Sequence, residues 1–123
     1  MREVEFHKIG GLNDALKIQV CDAPGPGGAN HEYRIFGVDD DGAKMWNQYM
    51  SFQKGPILEN GVNGVSNESL LAVVLDRLDG FDRGAYATPE NFAAMQHVSW
   101  ALEFLRNRTK GRIARGVEGT MTV

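Results

Sequence analysis

The spacing of apolar residues changes near residue 65, and this change constrains the fold more than any other feature of the chain. Before it, apolar and polar residues alternate at period two, as at Leu16, Ile18 and Val20, which is typical of half-buried strands. After it, apolar residues recur every three or four positions, as on an amphipathic helix. We therefore predict an α+β fold, an N-terminal antiparallel β-sheet followed by a C-terminal antiparallel helical hairpin.

The chain of 123 residues suits a single domain with one core. We expect a β-rich part at residues 1–65 and a helical hairpin with a basic C-terminal segment at residues 66–123. The longest apolar run, Leu70 to Leu75, is too short to cross a bilayer. The only cysteine, Cys21, has no partner in the chain, and a small buried apolar residue is a simpler interpretation of it than a reactive thiol. We expect a cytoplasmic protein that does not use a membrane.

Strands, loops and helices follow from local patterns in the sequence. The predicted strands contain Val4 and Phe6, then Leu16 to Val20, His31 to Val38 and Met45 to Gln53, the last two joined as a hairpin by Asp39 to Gly42. Loops are predicted at Gly10 to Asp14, Ala23 to Asn30 and Lys54 to Val65.

The two helices have clear start signals. Ser66 or Asn67 is placed to cap the first helix, which contains Leu70 to Phe81, although Gly80 weakens its end. Thr88, Pro89 and Glu90 begin the second helix. Its apolar face is broad and contains Phe92, Met95, Val98, Leu102 and Leu105. The short connection between the helices predicts that they pack antiparallel.

Charge is segregated along the chain. The formal net charge is −3, yet the basic segment Arg106 to Arg115 contains five positive residues and no carboxylate, which leaves −8 on the remainder. An acidic remainder disfavours long nucleic acid, whose non-specific binding relies on many phosphate contacts. One basic patch can still bind a small anion.

Three arginines of this segment share a helix face if the second helix continues past Arg106. Arg108, Arg112 and Arg115 then lie at i, i+4 and i+7, and we call them the arginine face. Their planar guanidinium groups match phosphate oxygens. The alternative is that they complement the helix dipole or form a solvated face. Gly111 and Gly116 are positions where the helix could break.

Aromatic and amide side chains could complete a nucleotide site. Phe81, Tyr86 and Phe52 offer surfaces on which a base could stack, although core packing is the commoner role of a phenylalanine. Asn91 could reach a base or ribose edge, or could hydrogen-bond within its own helix turn.

Catalytic motifs are absent from the sequence. There is no phosphate-binding glycine loop with lysine and no nucleophile elbow, and the three histidines are scattered. Asp39 to Asp41 suit a hairpin turn better than a metal site. We expect a binding protein without catalytic residues, metal or cofactor. The alternatives are a metal-dependent nucleotide phosphodiesterase that uses these aspartates and the histidines, and a nucleic-acid regulator.

The segment from Asn30 to Thr120 resembles a known family. The strings that carry the resemblance are Asn30-His-Glu-Tyr-Arg-Ile35, Ser51-Phe-Gln-Lys-Gly-Pro-Ile57, Glu59-Asn-Gly61, Asn63-Gly64, Asp76-Arg-Leu78, Glu90-Asn91, Arg108-Thr109 and Ala114-Arg-Gly-Val-Glu-Gly-Thr120. The closing part of the last string, from Arg115 to Thr120, is the most specific. Together they resemble the first described type of phage Thoeris anti-defence proteins. These are nucleotide sponges whose helical hairpin is related to that of the anti-CBASS cyclic-oligonucleotide sponges.

The resemblance implies a function and a set of residues. A cyclic ADP-ribose isomer, made by host TIR-domain proteins as an immune signal, would be held intact by a homodimer or homohexamer, and a second site could bind CBASS cyclic oligonucleotides. Carried over by position, Phe81 would stack on adenine, Asn91 would contact the nucleotide, and Arg108 and Arg112 would hold the diphosphate. The further candidates are Phe52, Gln53, Thr109 and Arg115, with Lys54 as a possible second basic group.

Energetics add an expectation about the assembly. Nanomolar sequestration requires about −12 kcal/mol. Two charged contacts supply about 3 to 6 kcal/mol and one stacked base about 1 to 3 kcal/mol, before association costs are subtracted. We therefore expect each pocket to lie between two subunits. We also expect Arg112→Ala to lower affinity without unfolding the protein.

Overall fold

Four strands form one antiparallel sheet in sequence order. The computed structural model describes residues 1–123, and the strands are β1 (Arg2–Val4), β2 (Leu16–Val20), β3 (Glu32–Val38) and β4 (Lys44–Ser51). The sheet is followed by helices, so the predicted α+β order is confirmed. Val20 is fully buried, and Phe36 and His31 are nearly so.

The predicted β3–β4 hairpin is confirmed, and its turn explains the aspartate cluster. The Asp39 backbone N–H donates to the Ala43 carbonyl at 2.9 Å. The Asp39 carboxylate accepts from the backbone N–H groups of Asp41 and Ala43 at 2.9 and 2.8 Å. Gly42 adopts a φ of 80°, which a residue with a Cβ rarely does. The acidic residues here therefore have a local structural role.

The first strand is shorter than the alternation predicts. β1 ends at Val4, and a turn follows in which the Lys8 N–H donates to the Glu5 carbonyl at 3.1 Å. Phe6 is fully exposed in this turn, so its predicted place in the strand was wrong. His7 fixes the segment to the sheet, because its Nε2 lies 2.6 Å from the Leu16 carbonyl oxygen.

A short helical turn begins in each predicted loop. These turns are α1 (Leu12–Ala15), a 3₁₀ turn at Pro26–Gly28 and α2 (Ile57–Asn60). The chain divides into two compact units, residues 1–55 with 60–64 and residues 56–59 with 65–123. The first contains the sheet and the second contains the long helices. The expectation of a single domain stays a prediction.

Both long helices begin where the capping signals predict. Helix α3 (Asn67–Asp82) is capped by Ser66, whose hydroxyl accepts from the Ser69 N–H at 3.0 Å. Helix α4 (Pro89–Ala114) is capped by Thr88, which accepts from the Asn91 N–H at 3.0 Å. Gly80 and Gly111 lie inside the helices and break neither.

The helices form the predicted antiparallel hairpin. Asn91, near the start of α4, donates its side-chain N–H to the carbonyl of Leu78 near the end of α3, at 3.0 Å. At the other end, a cavity of about 400 Å³ is lined by Leu70 and Leu71 of α3 and by Leu105 of α4. Two opposite ends in contact establish the direction.

The apolar face of the hairpin is only partly covered. Met95, Val98, Leu102 and Leu105 are half-buried, and neither helix contains a fully buried residue. Phe92 is half exposed, although the apolar stripe predicts that it is covered. None of the helices combines the length and the hydropathy that a membrane crossing requires.

Candidate anion-binding site

The three residues of the arginine face lie together. Arg108 and Arg112 belong to α4, and Arg115 caps its C-terminus. All three line a cavity of about 610 Å³, together with Asn107, Gly111, Glu118 and Val123. The helix therefore continues far enough to bring the arginines together, as their spacing predicts. Their role in ligand binding stays a prediction.

Arg112 is held by the chain that follows it. Its guanidinium donates to the backbone carbonyls of Thr122, Val117 and Thr120, at 2.7, 2.9 and 3.1 Å. Its Nε lies 3.3 Å from a carboxylate oxygen of Glu118, and only 21% of the side chain is exposed. A guanidinium has five N–H donors. Most of those on Arg112 are therefore occupied within the chain.

Arg115 and Arg108 differ in how many of their donors are occupied within the chain. Arg115 donates to the carbonyl of Val123 at 2.8 Å. Arg108 is exposed and has no hydrogen bond or ion pair within the chain. The carbonyls that Arg112 and Arg115 bind belong to the segment after α4, so these bonds are neither the helix-dipole contact nor the solvated face of the alternative interpretation. Arg108 is the free guanidinium of the face.

Phe81 and Asn91 lie at the opposite end of the hairpin. Phe81 is 45% exposed, and the Arg77 guanidinium carbon lies 5.6 Å from its ring centroid. The Asn91 amide N–H groups contact the Leu78 carbonyl and, at 3.7 Å, the Met95 sulfur, whereas its amide oxygen has no partner in the chain. A flat aromatic surface and one free acceptor are thus present together.

The two ends of α4 are too far apart for one small ligand. Asn91 and Arg108 are both in α4 and are seventeen residues apart. At about 1.5 Å per residue this is about 25 Å along the helix axis. A single chain therefore does not bring Phe81 and Asn91 to the arginine face. Thr109 follows Arg108 and is half-buried, and it points about 100° away from Arg108 around the helix.

Phe52 and Gln53 belong to the sheet unit, where both have structural contacts. The Phe52 ring packs edge-to-face on Tyr33 at 5.5 Å. The Gln53 side-chain amide donates to the carbonyls of Gly61 and Gly55 at 2.7 and 3.2 Å, and its oxygen accepts from the Asn63 N–H at 2.9 Å. These bonds close the predicted loop after β4. Their binding roles stay predictions.

Lys54 is already paired. It hydrogen-bonds the Glu32 carboxylate, which also accepts from the Ser51 hydroxyl at 2.6 Å. Both bonds lower the pKa of Glu32, and the bond from Lys54 has the larger effect. Burial raises the pKa of Asp22, but backbone N–H groups of His31 and Glu32 outweigh this and lower it overall.

Two contacts were not expected from the sequence. Glu118 belongs to the closing string of the resemblance, but nothing in the string indicates that it pairs with Arg112. Arg77 precedes Phe81 by four residues, a spacing that could have indicated their contact. No three side chains of histidine, cysteine, aspartate or glutamate are grouped so that they could hold a metal ion.

No family model matches the chain. A curated protein, Thoeris anti-defense 1 of Bacillus phage SBSphiJ7, is 45% identical over 71 residues, which are 58% of this chain and 50% of that protein. The chain thus spans about half the length of the curated relative that it matches. Over these 71 residues the similarity confirms the resemblance to Thoeris anti-defence proteins that the sequence indicates.

Proposed function

We propose that the protein sequesters a cyclic ADP-ribose isomer, the immune signal of host TIR-domain proteins, and thereby blocks Thoeris antiphage defence. The protein binds the ligand and releases it intact, so it acts by binding and not as an enzyme. A separate site for cyclic oligonucleotides of CBASS is part of the same hypothesis. The observation that carries the proposal is the free guanidinium of Arg108 beside Arg112 in one cavity.

The chemistry of the ligand fits these side chains. A diphosphate presents several anionic oxygens, and guanidinium groups bind them through charged hydrogen bonds. Adenine presents an aromatic face, and the exposed ring of Phe81 offers a surface of the same kind. Asn91 adds a free amide oxygen that can accept from an exocyclic amine or a ribose hydroxyl.

We further propose that two copies of the chain form each pocket. The separation of about 25 Å along α4 exceeds the size of one cyclic dinucleotide-like ligand. If two α4 helices from different copies run antiparallel, the Asn91 end of one lies beside the Arg108 end of the other. Exposed apolar side chains on the helices, Val73, Phe92, Trp100 and Phe104, support a second copy in this position.

Recovery of the ligand tests the absence of catalysis. The protein is incubated with cyclic ADP-ribose isomers, freed of unbound nucleotide and denatured by heat, and the supernatant is analysed by mass spectrometry. Intact isomer in a stoichiometric amount is the expected result. Hydrolysed product that disappears on addition of chelator would instead establish the metal-dependent phosphodiesterase.

Subunit complementation tests the shared pocket. Arg108→Ala and Phe81→Ala are each expected to weaken binding about ten- to a hundredfold, so that neither variant captures much ligand at a concentration near the dissociation constant of the unchanged protein. Co-expressed chains with different tags form mixed dimers. A mixed dimer has one pocket that carries both changes and one that carries neither, so about a quarter of the wild-type capacity should return in an equal mixture. Arg106→Ala is the matched control, because Arg106 pairs with Glu103 at 3.2 Å outside the arginine face. No recovery in the mixed dimers would contradict the shared pocket.

A further inference from the structure

We propose that β4 pairs antiparallel with β4 of a second copy of this chain, about a two-fold axis at Tyr49, so that two four-stranded sheets become one. The interface lies on the sheet unit and involves none of Phe81, Asn91, Arg108 and Arg112, the nucleotide contacts of the proposed function; of the further candidates it includes only Phe52, at its margin. It therefore stands or fails independently of the proposed function.

The outer edge of β4 presents unpaired backbone groups. β4 is the last strand of the sheet and pairs only with β3. The Cys21 N–H donates to the Glu32 carbonyl, and the Phe52 N–H donates to the His31 carbonyl, both at 2.8 Å. Glu32 thus faces β2 and His31 faces β4, and the direction alternates along each strand.

The register then identifies the residues that face outward. Tyr33 and Ile35 face β4 and lie opposite Met50 and Gln48. On β4, Met50 and Gln48 therefore direct their backbone groups toward β3. The alternate residues direct their backbone N–H and C=O groups to the open side, and these are Asn47, Tyr49 and Ser51. The Tyr49 carbonyl accepts a bond from the side-chain amide of Gln48 at 3.0 Å, which agrees with its lying outside the ladder.

This edge lacks the features that normally prevent strand pairing. Exposed edges are usually protected by charged residues, proline or bulges. The stretch from Trp46 to Phe52 contains no charge, proline or glycine. Its only irregularity is at one end, where Gly37 pairs with Trp46 and Val38 with Lys44, which leaves Met45 without a partner. By contrast, β1 at the other edge has three residues, two of them charged.

The edge is complementary to itself, which identifies a second copy as the occupant. A two-fold axis perpendicular to the sheet keeps each face on the same side, so only residues of equal parity can be opposite each other. Centring the axis on Tyr49 uses the whole stretch from Trp46 to Phe52. It places Trp46 opposite Phe52 of the partner subunit, Asn47 opposite Ser51 of the partner subunit, and Gln48 opposite Met50 of the partner subunit.

The pairing gives partners both to the outward backbone groups of β4 and to its exposed aromatic side chains. The outward groups of Asn47, Tyr49 and Ser51 form about six backbone hydrogen bonds with their counterparts. Trp46 and Tyr49, which are 52% and 62% exposed, gain aromatic neighbours. A strand pair of this length is smaller than a standard interface, so we expect a dissociation constant in the micromolar range or weaker.

Disulfide mapping tests the register. In a Cys21→Ser background, Tyr49→Cys should oxidise to a covalent dimer, because the residue lies on the axis with a Cα separation of about 5.5 Å. Gln48→Cys and Met50→Cys should each give little dimer alone and much more when mixed. Three outcomes would overturn the proposal: equal yields from the three single variants, a higher yield from Gln48→Cys than from Tyr49→Cys, or no dimer from any of them.

A matched pair of charge variants tests the same interface without oxidation. Asn47→Glu with Ser51→Lys places opposite charges across the axis, and Asn47→Lys with Ser51→Lys places like charges there. We expect sedimentation velocity to give a dissociation constant about five- to tenfold weaker for the like-charged variant. Thermal unfolding checks that both variants fold. Equal dissociation constants for the two folded variants would overturn the proposal, and Arg108→Ala should leave the result unchanged.

Discussion

Replacing Arg112 and replacing Arg108 should have different effects, because only Arg112 is bound to its own chain. Arg112→Ala removes three carbonyl contacts and an ion pair from the segment that follows α4. Arg108→Ala removes a side chain without a partner in the chain. The first change should therefore loosen residues 116–123, and the second should leave them folded.

The size of the effect follows from the burial of each contact. The half-buried bonds to Val117 and Thr120 contribute about 1 to 1.5 kcal/mol each. The exposed bond to Thr122 and the partly exposed ion pair to Glu118 add about 1 kcal/mol or less together, because water screens them. The loss of about 2 to 4 kcal/mol exceeds the roughly 0.3 to 1 kcal/mol of a helix-dipole contact alone.

Hydrogen exchange is the direct measurement of this loss. The Val117 N–H donates to the Arg112 carbonyl at 3.0 Å, and the Thr120 N–H donates to the Val117 carbonyl at 3.1 Å. A loss of about 2 to 4 kcal/mol corresponds to about 30- to 700-fold faster exchange of these amides in Arg112→Ala, at about 1.4 kcal/mol for each factor of ten. The exchange rate of an unfolded segment is the upper limit. Arg112→Lys should give an intermediate rate, since one ammonium cannot reach all of these acceptors.

Arg108→Ala is the matched control. Its amides at residues 116–123 should exchange as in the unchanged protein, whereas affinity for a cyclic ADP-ribose isomer should fall about ten- to a hundredfold, the size of one charged hydrogen-bonded contact. If the amides of Val117 and Thr120 stay protected in Arg112→Ala, the contacts of Arg112 do not stabilise this segment and the distinction between the two arginines is wrong.

Three further changes test the structure elsewhere. Gly64→Ala should destabilise the sheet unit by more than about 2 kcal/mol, seen as a lower Tm, because the added Cβ would lie 2.4 Å from the carbonyl carbon of Phe52; an unchanged Tm would contradict the close approach. Ser66→Ala should cost about 1 kcal/mol of unfolding free energy through loss of the α3 cap, whereas Ser66→Asp should keep it. The pKa of Glu32 is lowered, so its contribution to stability is present above its usual pKa of 4.5 and is lost as the pH falls through the lowered value. Glu32→Gln should therefore lose less stability than the unchanged protein between pH 7 and pH 3, and equal losses in thermal unfolding would refute the assignment.

Features determined within a few residues could be predicted from the sequence. Ser66 and Thr88 cap helices by accepting from N–H groups three residues ahead, and Asp39 forms its turn with residues two and four positions away. Such contacts need no information about the rest of the fold. For this reason the helix starts and the β3–β4 hairpin were predicted correctly.

Features determined by distant contacts could not be predicted in the same way. Phe6 continues the alternation of Val4, yet the turn between Glu5 and Lys8 ends the strand before it. Gln53 lies in a string that resembles a ligand-binding family, yet its amide bonds Gly61 and Asn63, which lie eight and ten residues away. The sequence does not distinguish a side chain whose hydrogen bonds stabilise a loop from one that is free to bind a ligand.

The same limit applies to the arginine face, where it matters most for function. By spacing alone Arg108, Arg112 and Arg115 are equivalent, and only the path of the chain after Ala114 distinguishes them. Because that path turns back over Arg112 and Arg115, the carbonyls of the segment occupy donors that a phosphate would otherwise use. A ligand that engages Arg112 must therefore use its remaining donors or displace part of the segment, whereas Arg108 is accessible at once.

The distance along α4 gives the proposed pocket its strongest physical constraint. Sequence resemblance assigns Phe81, Asn91 and Arg108 to one ligand but does not say whether they come from one chain. The rise of an α-helix separates Asn91 from Arg108 by about 25 Å, and no rotamer of either side chain closes that gap. If all three residues contact the same nucleotide, they come from different copies, and self-association is a condition of binding. Dilution below the dissociation constant of the assembly should then abolish nucleotide capture even in the unchanged protein, and a monomer that retains full affinity would exclude this arrangement.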